Sequence, residues 1–327
     1  MTTTFSKTEL QKALNPAQYQ AVISRSRALL VLAGAGSGKT RVITFRLASL
    51  ISDGASPFSI LAVTFTNKAA EEMKNRTREL LQMKEGINLW VSTFHASAAR
   101  LLRREFDRLG RGRDFAIYDT GDSESVLREC FKDLEISAKD YSPQRVRESI
   151  SYLKNRLMTS EEVQAALAEN TYDPGGMKSV VARVYPLYEK KLLAANALDF
   201  DDLLIYPLHL FREHPDVLEK YRRRFRHILV DEFQDTNKAQ YEFVKYLGKG
   251  AETICIVGDD DQSIYSWRGA LPENLTQFQK DFAPVEVVHL EENYRSTAKI
   301  LEAATSVVNR NSRQYEKRLI SQGETGE

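Results

Sequence analysis

Short apolar runs that end in glycine or polar residues recur along this chain, and most are followed by a stretch with helical periodicity. The runs are 28–32, 60–63, 89–91, 228–230 and 254–257. Strand-length runs that alternate with amphipathic helices are typical of a parallel, doubly wound sheet. In such a sheet ligands bind beyond the carboxyl ends of the strands. The polar residues that follow these runs are therefore the first candidates for a functional site.

The composition fits a globular protein of about two domains. Hydrophobic residues make up 42% of the 327 residues and charged residues 28%, which excludes a disordered or fibrous class. With 46 basic and 45 acidic residues the net charge is +1, so contact with nucleic acid would have to come from local patches. Cys130 and Cys255 predict reduced thiols, and neither a signal peptide nor a membrane-spanning run is visible. We therefore expect a soluble, cytoplasmic protein with no membrane partner.

The strand pattern is absent between about residues 100 and 225, where helical periodicity dominates. Thr159 and Glu162 form a predicted capping box at the start of one helix. Pro186 and Pro207 fall inside other helical patterns and are expected to kink or end them. The predicted fold class is therefore α/β, a parallel-sheet domain that is interrupted by an all-helical insertion domain.

One glycine-rich segment, AGAGSGKT at residues 33–40, lies between a predicted strand and a predicted helix. It matches the phosphate-binding loop pattern, with Ala33 in place of the first glycine. In such a loop the backbone N–H groups and the helix N-terminus bind phosphate oxygens. Lys39 is expected to reach the β- and γ-phosphates, and the Thr40 hydroxyl to bind Mg²⁺. The predicted contacts are Ala33, Gly34, Ala35, Gly36, Ser37, Gly38, Lys39 and Thr40.

A phosphate loop alone specifies neither reaction nor substrate, and two acidic residues supply the second half of the predicted site. Asp231 and Glu232 follow the apolar run 228–230. At a strand end, Asp231 is placed to bind Mg²⁺, and Glu232 to orient and deprotonate a water molecule. The alternative is that both acids merely cap the next helix. The long gap between Lys39 and Asp231 also supports an insertion within the nucleotide-binding domain.

A series of segments resembles, in order, the motifs of superfamily 1 DNA helicases of the UvrD, Rep and PcrA type. The segments are 14–18, 33–41, 64–70, 93–95, 199–204, 231–237, 257–269 and 293–296. The resemblance spans nearly the whole chain and implies a RecA-like P-loop NTPase fold. The domains it implies are a motor domain 1A (1–100 and 226–291), a helical insertion domain 1B (101–225) and the opening segment of a truncated second motor domain 2A (292–327).

The resemblance implies roles for five further residues around a bound ATP. Gln18 would bind the adenine edge, and Tyr294 would stack on the adenine ring. Arg41 would lie near the phosphates. Gln262 would sense the γ-phosphate, and Arg295 would stabilise its charge during transfer like an arginine finger. The implied catalytic residues are Lys39, Glu232, Gln262 and Arg295, and the implied cofactors are ATP and Mg²⁺.

Single-stranded DNA is the partner that the resemblance implies. The residues that would line its track are Phe65, Asn67, His95, Tyr265, Trp267 and Arg268. Trp267 beside Arg268 also suits such a track on physical grounds, because aromatic rings stack on bases and basic groups bind phosphates. Ordinary core packing is the alternative for Phe65, and a satisfied interior position is the alternative for His95.

Two arginine-rich runs lie at 100–113 and 222–226. Such runs can bind the phosphates of a DNA duplex through salt-sensitive contacts. They can equally form a solvated surface, and the sequence leaves both interpretations open.

The implied function is an ATP-dependent DNA helicase that moves 3′ to 5′ on single-stranded DNA and unwinds duplexes at single-strand/duplex junctions, in DNA repair or replication. We find no match to the later family motifs V and VI after residue 296. The expected further partner is therefore the remaining C-terminal motor domain of the parent protein, without which we expect weak activity or none. Two alternatives stay open, namely the motor portion of a helicase–nuclease and a non-motor module that binds ATP or DNA.

Overall fold

A six-stranded parallel sheet lies in one of the two units into which the chain divides. The computed structural model describes residues 7–82, 89–169, 176–266, 269–310, 315, 317, 319–323 and 326. Unit 1 comprises Met1–Ser97, Leu218–Thr236 and Val244–Glu327, and unit 2 comprises Ala98–Val217 and Asn237–Phe243. The chain therefore enters and leaves unit 2 twice.

The strands of the described residues are, in chain order, β1 (Ala28–Ala33), β2 (Ile60–Thr64), β3 (Trp90–Thr93), β4 (Ala116–Ile117), β5 (Ala197–Leu198), β6 (His227–Val230), β7 (Thr253–Gly258), β8 (Glu286–Leu290), β9 (Glu292–Asn293) and β10 (Ile320–Ser321). Single 3₁₀ turns lie at Pro57–Ser59, Phe106–Leu109, Phe233–Asp235 and Asp260–Gln262.

The helices are α1 (Lys7–Ala13), α2 (Pro16–Ile23), α3 (Lys39–Ser52), α4 (Asn67–Leu81), α5 (Phe94–Glu105), α6 (Thr120–Asp133), α7 (Pro143–Asn155), α8 (Ser160–Glu169), α9 (Met177–Ala194), α10 (Asp202–Glu213), α11 (Pro215–Arg224), α12 (Lys238–Gly248), α13 (Asn274–Asp281) and α14 (Ala298–Val308). Within the described ranges, no helix combines the length and the apolar character that crossing a membrane requires.

The strand order of the central sheet is β3-β2-β6-β7-β1-β8, and every neighbouring pair is parallel. This confirms the predicted parallel sheet and the five strands predicted from apolar runs. β1 and β7 are buried along their whole length, as central strands covered by helices must be. β8 was not predicted, because Glu286 and His289 interrupt its apolar pattern at the edge of the sheet.

A buried arginine joins α2 to α3. The Arg46 side chain in α3 is fully buried, and its Nη1 donates hydrogen bonds to the carbonyl oxygens of Ala21 and Ser24 at 2.8 and 2.9 Å. These carbonyls lie at the end of α2, where helical carbonyls lack partners within the helix and a cation faces the negative end of the helix dipole. The contact fixes α2, which carries Gln18, against α3, which begins at Lys39.

Unit 2 has a core formed by the apolar faces of α6, α7 and α9. The predicted capping box of α8 is confirmed. The backbone N–H of Glu162 donates to Thr159 Oγ1 at 3.2 Å, and the backbone N–H of Thr159 donates to Glu162 Oε2 at 2.9 Å. This reciprocal pair satisfies two donors that would otherwise be unpaired at the helix start.

In unit 2 the structure excludes one of the two effects expected of Pro186 and Pro207, and it contradicts the prediction of an all-helical insertion. α9 and α10 continue through Pro186 and Pro207, so neither proline ends its helix. A proline removes one helical hydrogen bond, and the buried residues on both sides of it hold these helices together through packing. β4 and β5 form a two-residue parallel pair in the segment that was predicted to be all-helical. A pair this short leaves no periodic signal in the sequence.

A buried lysine organises the charges of unit 2. Lys154 Nζ donates hydrogen bonds to Asp199 Oδ2 at 2.7 Å and to Asp202 Oδ1 at 2.6 Å, and the Tyr188 hydroxyl donates to Asp199 Oδ2 at 3.1 Å. Asp199 and Asp202 also accept hydrogen bonds from each other's backbone N–H groups. Burial opposes the charge on Lys154, but the two aspartates outweigh it and raise the pKa of its ammonium well above the usual value.

We predict that Lys154→Met destabilises the protein by about 3–5 kcal/mol, because it leaves the carboxylates of Asp199 and Asp202 buried without their cation. Urea unfolding followed by circular dichroism measures the loss. Lys191→Met is the matched control, since Lys191 pairs with Glu129 and Asp133 at the surface and such pairs contribute about 0–1 kcal/mol. Equal losses in the two variants would contradict the prediction.

Candidate nucleotide-binding site

The predicted nucleotide residues meet at the carboxyl edge of the central sheet. The loop 34–38 connects β1 to α3, Asp231 and Glu232 follow β6, and Asp259 follows β7. Gln262 ends the 3₁₀ turn after β7. Parallel pairing therefore places segments that are far apart in sequence beside one another, as expected for the ligand edge of such a sheet.

The loop between β1 and α3 has the geometry of a phosphate cradle. Gly36 and Gly38 have φ values of 68° and 89°, in the left-handed region that glycine adopts at little cost. A Cβ atom at Gly36 would lie 2.7 Å from both the Arg295 Cβ and the Asn293 Nδ2, so only glycine permits this close approach. The Ser37 hydroxyl donates to the Gly34 carbonyl oxygen at 2.7 Å and closes the turn.

Three consecutive carbonyl oxygens of the loop accept hydrogen bonds from groups outside it. Asn293 Nδ2 donates to Ala35 O at 2.6 Å, the Tyr294 backbone N–H donates to Gly36 O at 3.0 Å, and Gln18 Nε2 donates to Ser37 O at 2.9 Å. In a trans peptide the C=O and the next N–H point in opposite directions. Fixing these carbonyls therefore also fixes the N–H groups that follow them.

The ammonium of Lys39 is the clearest sign of an anionic ligand. Lys39 is 8% exposed, and its Nζ has no hydrogen-bond partner within the described part of the chain. Its nearest carboxylate oxygens are Glu232 Oε2 at 3.5 Å and Asp259 Oδ2 at 3.7 Å. A buried cation that lacks hydrogen bonds is costly unless a ligand supplies them. The glycine cradle and this ammonium together fit a phosphate group.

Asp231 and Glu232 form the acidic side of the site. Asp231 is buried, and burial together with the adjacent Glu232 carboxylate raises the pKa of Asp231 to about 7. The Thr40 side chain lies close enough to Asp231 to lower its pKa, so the two residues predicted to bind Mg²⁺ are neighbours. Glu232 has a φ of 50°, a left-handed backbone that is uncommon outside glycine, asparagine and aspartate.

Gln234 holds Glu232 in place, although no role was predicted for it. Its Nε2 donates to Glu232 Oε2 at 2.9 Å, and its Oε1 accepts a hydrogen bond from the Asp259 backbone N–H at 3.0 Å. Gln234 thereby links the ends of β6 and β7. The sequence places it within the segment 231–237, but only its burial between two strand ends identifies the role.

A cavity of about 460 Å³ brings most of the predicted residues together. Predicted residues on its wall are Gly36, Gly38, Lys39, Thr40, Arg41, Glu232, Gln262, Tyr294 and Arg295. Ala69, Glu72 and Arg76 of α4 also line it and were not predicted. The Gln262 side chain donates a hydrogen bond to the Asp259 carboxylate.

Of the residues predicted to bind adenine, Tyr294 lines the cavity and Gln18 does not. Gln18 is buried, and its Oε1 accepts a hydrogen bond from the Asn15 backbone N–H at 3.3 Å, so its amide already supports α2 and the loop. Tyr294 is exposed, and its hydroxyl accepts a hydrogen bond from Asn15 Nδ2 at 2.9 Å. Arg41 Nη2 donates to the Ala13 carbonyl oxygen at 2.7 Å. Gln18 is therefore a structural residue of the loop, whether or not it binds a base.

The predicted DNA residues that the structure describes lie at or near the ends of β2, β3 and β7. Phe65 is half-buried with its ring 6.3 Å from that of Phe94, and Asn67 is exposed at the start of α4. Burial lowers the pKa of His95 to about 4, which favours the neutral imidazole at neutral pH. Tyr265 is half-buried. Trp267 and Arg268 lie outside the described residues.

Several arginines of the two basic runs bind groups of their own chain. The hydrogen bonds run from Arg108 to Asp216, Arg113 to Asp107, Arg222 to the Tyr246 carbonyl oxygen, and Arg226 to Glu252. The Arg103 guanidinium lies 3.8 Å from the centre of the Phe115 ring. These contacts favour a structural role for the runs over a surface reserved for duplex phosphates.

We predict that Gln18→Ala destabilises the protein by about 1–3 kcal/mol, because it leaves the buried Ser37 carbonyl without its donor and removes half of the capping box of α2. Urea unfolding measures this change. Gln20→Ala on the same helix is the control, since Gln20 is exposed and its Nε2 reaches Glu286 at the surface. The prediction fails if the two variants unfold at the same urea concentration.

The chain matches the family described as UvrD/REP helicase N-terminal domain over residues 14–283. It is 46% identical over 319 residues to the ATP-dependent DNA helicase PcrA of Bacillus subtilis strain 168, covering 97% of this chain and 42% of that protein. It is 44% identical over 315 residues to PcrA of Staphylococcus aureus strain Mu50, covering 96% of this chain and 42% of that protein. The chain thus spans less than half the length of these relatives.

The matched range includes the phosphate loop, the Asp231–Glu232 pair and Gln262, which the parallel sheet brings to one edge. The match extends over most of the chain and agrees with the motif resemblance found in the sequence. The chain therefore belongs to the UvrD/REP helicase N-terminal domain family.

Proposed function

We propose that this chain is the ATP-binding portion of an ATP-dependent DNA helicase that couples ATP hydrolysis to 3′-to-5′ translocation on single-stranded DNA and to duplex unwinding. The observation that carries the proposal is the buried Lys39 ammonium, without a hydrogen-bond partner among the described side chains, beside the Asp231–Glu232 pair. Relatives that share up to 46% of their aligned residues with this chain are named ATP-dependent DNA helicases, which supports the same conclusion.

In this proposal the phosphate loop binds the triphosphate. The loop N–H groups and the Lys39 ammonium would donate hydrogen bonds to the β- and γ-phosphate oxygens. Thr40 and Asp231 would hold Mg²⁺, which neutralises phosphate charge when bound. The adjacency of the Thr40 hydroxyl and the buried Asp231 carboxylate supports this assignment. Gln18 would bind the adenine edge, Tyr294 would stack on the adenine ring, and Arg41 would lie near the phosphates.

Hydrolysis requires a base for the attacking water and a cation for the developing charge. Glu232 would orient and deprotonate the water, and its hydrogen bond from Gln234 would aim the carboxylate. Arg295, which also lines the cavity, would stabilise the transferring phosphoryl group. Gln262 would respond to the γ-phosphate, since it lines the same cavity and binds Asp259 near Lys39.

The DNA track proposed for this chain runs along the ends of β2, β3 and β7. Phe65, Asn67, His95 and Tyr265 would line it, together with Trp267 and Arg268. Aromatic stacking on bases contributes about 1–3 kcal/mol per base and does not depend on sequence, which suits a translocating motor. Single-strand/duplex junctions are the proposed substrate, DNA repair or replication the proposed process, and the cytoplasm the proposed location.

The proposed domain assignment follows the family pattern. Residues 1–100 and 226–291 would form motor domain 1A, residues 101–225 the insertion domain 1B, and residues 292–327 the start of motor domain 2A. The alignment covers only 42% of the length of PcrA from B. subtilis, so the remaining C-terminal part of a longer protein is the proposed partner that completes the motor.

We predict that Lys39→Ala weakens binding of a fluorescent ATP analogue by about 10- to 100-fold, the effect of losing one charge-assisted hydrogen bond. Glu232→Gln should retain binding, because it changes the proposed base rather than a phosphate contact. In the full-length protein, Glu232→Gln should lower the DNA-stimulated ATPase rate by about 10²–10⁴-fold.

Lys132→Ala, on the exposed face of α6, is the control for both measurements. Unchanged nucleotide binding in Lys39→Ala, or unchanged DNA-stimulated turnover in Glu232→Gln, would contradict the proposed function.

A further inference from the structure

Lys317 inserts its ammonium among three consecutive aspartates after β7. Its side chain is 3% exposed, and its Nζ lies 2.6 Å from Asp259 Oδ1 and 3.3 Å from Asp261 Oδ2, with a third contact to Asp260. The carboxylate oxygens of the three aspartates lie within 4.8 Å of one another and repel each other strongly. Burial opposes the charge on Lys317, but these carboxylates outweigh it and raise the pKa of its ammonium above the usual value.

Residues on both sides of Lys317 also contact other parts of unit 1. The Tyr315 hydroxyl donates to Gln279 Oε1 on α13 at 2.8 Å. The Leu319 side chain lies over Gly34 of the phosphate loop, where a Cβ atom would come within 2.0 Å of it. The next two residues form β10, which pairs in parallel with β9 and so attaches this segment to the chain after β8. Lys317 is thus held at the site by contacts other than its own.

Asp259 connects Lys317 to the nucleotide site. One of its oxygens, Oδ1, accepts the Lys317 hydrogen bond, while Oδ2 accepts the Gln262 amide and lies 3.7 Å from Lys39 Nζ. Asp259 Oδ1 also accepts the Asp261 backbone N–H at 3.2 Å, and the Asp259 carbonyl oxygen accepts the Gln262 N–H at 3.0 Å. The conformation of the turn that carries Gln262 therefore depends on the carboxylate that Lys317 binds.

We propose that Lys317 is a positioning residue of the nucleotide site, which holds the turn Asp259–Gln262 in place and balances its charge so that Lys39 remains available to the γ-phosphate. The inference rests on the proposed function, because it assigns Lys39 and Gln262 to a bound triphosphate. Lys317 itself does not line the cavity and acts through Asp259.

The charge balance predicts the effect of removing Lys317. Without its ammonium, three carboxylates remain beside the site. Among the described residues, Asp259 then keeps Lys39 as its neighbouring cation. Lys39 would then be drawn toward Asp259, and the added negative potential would oppose the γ-phosphate more than the β-phosphate. Binding of ATP should therefore suffer more than binding of ADP.

The test uses the 327-residue chain and measures dissociation constants of ATP and ADP for four proteins: the unaltered chain, Lys317→Ala, Lys317→Arg, and Lys317→Ala combined with Asp260→Asn and Asp261→Asn. We expect Lys317→Ala to weaken ATP about tenfold and ADP less than about threefold. Lys317→Arg and the combined variant should restore the ratio of the ATP and ADP dissociation constants to that of the unaltered chain. The first variant replaces the cation, and the second removes the surplus carboxylates.

Hydrogen exchange of the Asp261 and Gln262 amides in the nucleotide-free chain tests the positioning itself. Both should exchange about tenfold faster in Lys317→Ala, because the Asp261 N–H donates to the carboxylate oxygen that Lys317 holds and the Gln262 N–H belongs to the turn that this carboxylate closes. Unchanged exchange rates in Lys317→Ala would overturn the proposal. So would an equal loss of affinity for ATP and ADP in Lys317→Ala that the combined variant does not restore. If the unaltered chain binds no nucleotide, the proposed function fails, while the exchange rates still decide whether Lys317 holds the turn.

Discussion

Parallel strand pairing is the constraint on which the candidate site depends. Because every strand of the central sheet points the same way, the residues after β1, β6 and β7 meet at one edge. Lys39 thereby comes within 4 Å of carboxylate oxygens from both of the other strand ends. Charges act on each other more strongly in such a buried setting than in water. The electrostatic character of the site is thus a product of sheet topology and not of any one segment.

The features that the sequence predicted well are those with a local signal. Apolar runs, the glycine pattern before Lys39 and the Thr159–Glu162 capping box each lie within a few neighbouring residues, and the structure contains all of them. Gln234 and Lys317 were missed because their roles arise from contacts with other strand ends and distant turns. The same holds for β8 and for the short β4–β5 pair, whose partners are distant in sequence and leave no local signal.

The phosphate loop is supported by segments that precede and follow it in the chain. Gln18 comes from α2, whereas Asn293 and Tyr294 follow β8, and each donates to a different loop carbonyl. Glycine makes the loop easily deformed, so these donors supply the rigidity that its own residues lack. Arg46 extends the support by fixing α2 to the helix that begins at Lys39.

The left-handed backbone of Glu232 has a consequence for the choice of residue at this position. Glycine, asparagine and aspartate adopt this conformation more readily than glutamate, so the backbone alone would favour any of them at this position. Only glutamate, however, has the reach that brings its carboxylate to Gln234 and to within 3.5 Å of Lys39. A laboratory selection that rewards thermal stability without catalysis would therefore drift away from glutamate at 232. The base role proposed for this residue, in contrast, requires the glutamate carboxylate.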